Sequence, residues 1–70
     1  MRTDTIGANA GAIWRLLSGQ GGLGLSALKR LARLDDRELY LALGWLARED
    51  KIAVTQTGRQ TVVSLKPDDG

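Results

Sequence analysis

Lys29, Arg30 and Arg33 fall within five residues of one another, and Arg37, Tyr40 and Arg48 follow at intervals of three and eight. Arg59 stands alone beside a glycine. Guanidinium and ammonium groups grouped this way attract phosphate oxygens, and a tyrosine among them adds a stacking ring and a hydroxyl. The remaining side chains offer little covalent chemistry. The chain contains neither His nor Cys. That leaves no imidazole base, no thiolate nucleophile, no disulfide and no metal set of the usual N/S kind. The carboxylates come as sequence neighbours, at Asp35/Asp36, Glu49/Asp50 and Asp68/Asp69. Adjacent residues on a helix do not face each other, so these pairs cannot flank a substrate as acid and base. Gly19, Gly21 and Gly24 match a G-x-G-x-x-G pattern. A dinucleotide site needs that pattern between a strand and a helix of a βαβ unit, whereas here it follows a helical stretch. The composition excludes an obvious enzyme, and no cofactor, metal or small-molecule substrate is implied.

The elements that position these groups follow from hydrophobic spacing. Ile6, Ala10, Ile13, Trp14 and Leu17 share one face of a first helix, expected over residues 5–18, with Thr3 or Asp4 as its cap and Trp14 in the core. Gly7 and Gly11 weaken that helix, or allow another helix to come close. A glycine-rich connection ends it, and Leu23 and Leu25 suit a short strand. Ser26 reads as the N-cap of a second helix whose Leu28, Leu31 and Ala32 point inward, and Leu34 plugs the following turn. Asp35 with Glu38 forms a capping-box pattern for a third helix reaching about residue 49. Leu39, Ala42, Leu43 and Leu46 recur at i, i+3, i+4, i+7 and define its buried face. Residues 52–56 and 60–65 alternate as two strands, and Gly58 supplies the tight turn between them.

This is an α+β fold with the order α-β-α-α-β-β: a helix-turn-helix followed by a C-terminal hairpin wing. Seventy residues carrying ten basic and eight acidic side chains, net +2, fit one domain over residues 1–70. Its ordered core is expected over about 5–66, with Pro67 and an acidic tail closing it. No stretch approaches the roughly 18 apolar residues of a membrane span. With no signal-peptide pattern at the N-terminus, a cytoplasmic protein is the expectation.

Within this frame the chain resembles a small family of stand-alone bacterial winged-helix proteins of uncharacterised role. The resemblance is carried by Ile6-Gly-Ala-Asn-Ala-Gly-Ala-Ile-Trp14 and, more specifically, by Glu38-Leu-Tyr-Leu-Ala-Leu-Gly-Trp-Leu-Ala-Arg-Glu-Asp-Lys-Ile52. It covers residues 6–65. Family members carry more charge in the loop after the first helix, where this chain has Gly21 and Gly22. The resemblance implies a winged-helix domain of the kind labelled DNA-binding by fold, and fold alone does not give function.

Two functional expectations follow. In a winged helix the third helix lies in the major groove and the second crosses the phosphates. A DNA-binding, transcription-regulator-like module would then use Arg37, Tyr40 and Arg48 on the third helix, with Lys29, Arg30, Arg33 and Arg59 on phosphates. The outward face of the third helix also presents Leu41, Gly44 and Trp45. An apolar patch there suits a protein interface, most simply a homodimer. Trp45 has a second reading, folded back beneath the wing as part of the core.

Overall fold

The computed structural model describes residues 3–66; Pro67, Asp68 and Asp69 lie outside the described residues, as does the Thr3 side chain. The chain runs α1 (Thr3–Gln20), β1 (Leu23–Gly24), α2 (Leu25–Ala32), α3 (Asp36–Arg48), β2 (Ile52–Thr57) and β3 (Gln60–Leu65). The sheet order is β1-β3-β2 and both pairings are antiparallel. Val63 lies between Leu23 on one side and Val54 on the other. Ile13, Leu17, Leu28, Leu39, Ala42, Leu46 and Val63 form the centre of the core, to which α1, α2, α3 and β3 all contribute.

The third helix forms as its local sequence dictates. Asp35 accepts from the Glu38 backbone N–H at 2.8 Å, and the Glu38 carboxylate accepts from the Asp35 N–H at 3.1 Å. This reciprocal box satisfies two amide donors that a helix start would otherwise leave open. Asp35→Ala removes one half of it. The substitution should lower stability by about 1 kcal/mol in a urea melt, and an unchanged midpoint would show that the box contributes nothing.

The ends of the two helices around the turn share one geometry. After α2 the Arg33 N–H donates to the Arg30 carbonyl and the Leu34 N–H to the Lys29 carbonyl. After α3 the Asp50 N–H donates to Ala47 and the Lys51 N–H to Leu46. Both patterns are Schellman motifs, which need a left-handed residue just past the helix. Arg33 (φ 57°) and Asp50 (φ 59°) take that conformation where glycine would be the unstrained choice. Asp50 also forms an ion pair with Lys66 at the base of the sheet.

Several details differ from the sequence expectation. Helix α1 is longer than residues 5–18, so Asp4 sits in its first turn instead of ahead of it. Ser26 is not a cap: α2 starts at Leu25, Gly24 is the N-cap, and no side chain caps the helix. Leu25 consequently belongs to the helix and not to the strand. Leu31 is 45% exposed, because the short α2 buries the Leu25, Leu28, Ala32 stripe and Leu31 falls to one side of it. Trp14 is 42% exposed for the same kind of reason, flanking the Ala10, Ile13, Leu17 stripe instead of lying in it. Strand β2 reaches Thr57, one residue further than expected, and Gly58 at φ +61° makes the two-residue turn. The turn is of the type that takes glycine at its first central position.

Candidate functional site

Helix α3 turns its buried stripe inward and leaves Arg37, Leu41, Gly44 and Arg48 on the opposite side. Its two aromatic residues lie on opposite flanks of that ridge, and each enters a different groove. Trp45 leans against α1: a Cβ placed on Gly7 would sit 3.6 Å from the Trp45 ring. A groove of about 490 Å³ runs here between α1 and α3, with Gly7, Gly11 and Trp14 on one side and Trp45 and Glu49 on the other. The expectation that Trp45 folds beneath the wing therefore gives way to contact with α1. That distance is ordinary van der Waals contact, so the indole packs on the backbone of α1 at Gly7 with room for a methyl group.

Tyr40 occupies the other flank and is 58% exposed. It faces a cleft of about 650 Å³ between the start of α2 and the wing, lined also by Leu25, Ser26, Thr57, Arg59, Gln60 and Thr61. Tyr40 and Arg59, nineteen positions apart in sequence, are thus brought to one site. The wing tip beside Arg59 is braced by two bonds. The Thr61 hydroxyl donates to the Gln56 side-chain carbonyl at 2.8 Å, and the Gln56 amide donates to the Gly58 carbonyl at 3.3 Å.

The cations divide by environment. Lys29 forms an ion pair with Asp36 at 2.8 Å, across the turn between α2 and α3. The hydrogen bond that Lys29 donates to Asp36, then the Asp36 charge, raises the Lys29 pKa above the ordinary value of 10.5. A raised folded-state value means that this contribution is complete below 10.5 and disappears as pH climbs through the folded pKa. For Lys29 to meet a phosphate, the pair must open. Arg30, Arg33, Arg37, Arg48 and Arg59 are all exposed and have no carboxylate partner among the described residues. Arg33 sits at the left-handed cap, which directs its side chain from the turn and not from the helix cylinder. Arg33→Gly should relieve that conformation and raise stability by about 0.5–1 kcal/mol, read as a higher urea midpoint. A lower midpoint would mean that the guanidinium itself stabilises the turn.

Tyr40 and Arg59 were legible as single residues, whereas Ser26 was read only as a helix cap and Thr57, Gln60 and Thr61 carried no sequence signal beyond their place in the hairpin. Trp14 was legible only as core. The glycines of the G-x-G-x-x-G match are spread over two elements, Gly19 in α1 and Gly24 in β1, which is no phosphate cradle. Among the described residues there is no group of His, Cys, Asp and Glu that could hold a metal ion. Among them, too, no helix is long and apolar enough to cross a membrane.

This geometry has relatives. An uncharacterized protein, MJ1608, from the archaeon Methanocaldococcus jannaschii is 41% identical over 64 residues, covering 87% of this chain and 90% of that protein. The similarity thus reaches beyond bacteria. The solution NMR structure of protein BT2368 from Bacteroides thetaiotaomicron superimposes with a TM-score of 0.82 at 32% identity, covering 93% of this chain and 79% of that one. No enzymatic family is among these matches. The family model of a winged helix-turn-helix domain (DUF2582) matches residues 1–65. The chain therefore belongs to this winged helix-turn-helix family, whose function is uncharacterised and whose fold is typically DNA-binding.

Proposed function

We propose that this chain is a DNA-binding module, of the kind found in transcription regulators, that contacts duplex DNA mainly through its phosphates. The observation that supports this most is the set of exposed arginines on the helix-turn-helix and wing that have no carboxylate partner among the described residues: Arg30, Arg33, Arg37, Arg48 and Arg59. Phosphate contacts of this kind set register and supply affinity without reading sequence. Base edges are read by Arg, Lys, Asn, Gln, Ser and Thr, and the middle of the α3 ridge offers Leu41 and Gly44 instead. Binding should accordingly be sequence-tolerant. A fluorescently labelled duplex of mixed sequence, titrated by anisotropy at 20 mM and 150 mM salt, tests the reading. Measurable binding at 20 mM supports it, and its absence at that salt ends it.

A second reading has its own support. Leu41 is 40% and Trp45 37% exposed on the same helix, with Gly44 open between them. A homodimer burying Leu41, Gly44 and Trp45 would remove this apolar surface from water. At roughly 25 cal/mol per Å² such burial favours association. Light scattering at high protein concentration is the direct measurement. A dimer that dissociates on Leu41→Ser with Trp45→Gln supports this reading, whereas a wild-type monomer rejects it.

A further inference from the structure

The split of the two aromatic flanks of α3 carries an inference about where the DNA backbone sits, and it rests on the DNA-binding reading above. We propose that the cleft between the start of α2 and the wing holds one backbone phosphate of duplex DNA, with Arg59 as its cation and Tyr40, Gln60 and Ser26 as neutral donors.

The lining of the cleft is the first reason. Apart from Leu25 it is polar throughout, and Arg59 is its only charged residue; no carboxylate lines it. An anion entering meets one positive charge, hydroxyl and amide donors, and no opposing charge. Its volume of about 650 Å³ admits a phosphodiester group together with its sugar.

The second reason is that the cleft has a built floor. The Gln60 amide lies over Gly24, where any Cβ would overlap it. The end of the Gln60 side chain thus packs the base of the wing against the start of α2. The Gln60 amide makes no hydrogen bond with any described residue, so its donors remain available at the cleft. The bonds from Thr61 to Gln56 and from Gln56 to Gly58 brace the wing tip, and with it the backbone from which Arg59 projects. Donors held before binding lose less freedom when the ligand arrives.

The third reason is the ridge beside the cleft. Trp45 is committed to the α1 side, and Leu41 and Gly44 occupy the crest. Tyr40 is the α3 residue that lines the cleft, on the side of the wing. The backbone is then gripped between the wing and α2, and the apolar crest is left outside the grip.

The test uses the full chain with a labelled mixed-sequence duplex, titrated at several salt concentrations between 20 and 200 mM, with Arg59→Gln, Tyr40→Phe and Arg48→Gln compared with wild type. Thermal melts establish that each variant is folded. All three positions are exposed, so folding should survive. Arg59→Gln should flatten the slope of log affinity against log salt by about 0.9, the signature of one lost phosphate contact. Tyr40→Phe should weaken binding by about 2- to 10-fold with the slope unchanged, as expected for loss of a neutral hydrogen bond. Arg48→Gln, outside the cleft, should change affinity less than Arg59→Gln. Wild-type slope and affinity in both Arg59→Gln and Tyr40→Phe would overturn the cleft while leaving DNA binding intact. Failure of the wild-type chain to bind at 20 mM salt would overturn both.

Discussion

Leu28→Ala should lower the Tm of this chain by more than about 10 °C. Leu28 is wholly inaccessible to solvent and lies at the centre of the core with Ile13, Leu17, Leu39 and Val63. Truncating such a side chain removes its transfer free energy and leaves a cavity, together costing about 2–5 kcal/mol. At about 0.05–0.15 kcal/mol per residue, a domain of this length has some 4–10 kcal/mol in total. The loss is therefore between about a fifth of the stability and all of it, and no disulfide is available to offset it. A shift of about 4–8 °C in Tm per kcal/mol for a domain this small puts the expected fall above about 10 °C. Leu31→Ala, one turn along the same helix but 45% exposed, is the matched comparison and should cost far less. Equal losses at the two positions would show that α2 does not dock as described.

The second large effect is on DNA affinity, which should fall by about 150-fold when salt rises from 50 to 200 mM. In the proposed binding mode four of the five exposed arginines, Arg30, Arg33, Arg37 and Arg59, meet phosphates, and Arg48 lies further along α3. Each neutralised phosphate contributes about −0.9 to the slope of log affinity against log salt, so four give about −3.6. Lys29 adds to this only if its pair with Asp36 opens. Asp36→Asn should free it and steepen the slope toward about −4.5. Arg33→Gly should do the reverse, flattening the slope by about 0.9 even as the protein becomes more stable. A gain in stability coupled to a loss of affinity would explain why a strained arginine stands where glycine suits the backbone better. A slope near zero in the wild-type chain would sink the phosphate mechanism.

These expectations could be framed because much of the fold is written locally. The i, i+3, i+4, i+7 stripe of Leu39, Ala42, Leu43 and Leu46 is buried as its spacing requires. The Asp35/Glu38 box and the Gly58 turn are short-range arrangements, closed within a few residues. The resemblance to winged-helix proteins, carried by the segment from Glu38 to Ile52, agreed with the family to which the chain belongs.

The errors lie at the edges of stripes. Trp14, Leu31 and Trp45 each fall beside a buried face, and the wheel alone does not say whether a neighbour reaches them. Ser26 has good capping chemistry, but β1 pairs with β3 through Gly24, and the cap falls there, two residues early. The cleft that joins Tyr40 to Arg59 depends on how the wing closes on α2, where the Gln60 side chain lies over Gly24, thirty-six positions away in sequence.

The sequence by itself determined which elements form, in what order, and which four residues of the third helix are buried, because caps, turns and helical periodicity act over a few residues. Only the tertiary structure decided which exposed groups share a surface. It placed Trp45 against α1 and Tyr40 against the wing, because the side a flanking residue faces is set by how whole elements cross.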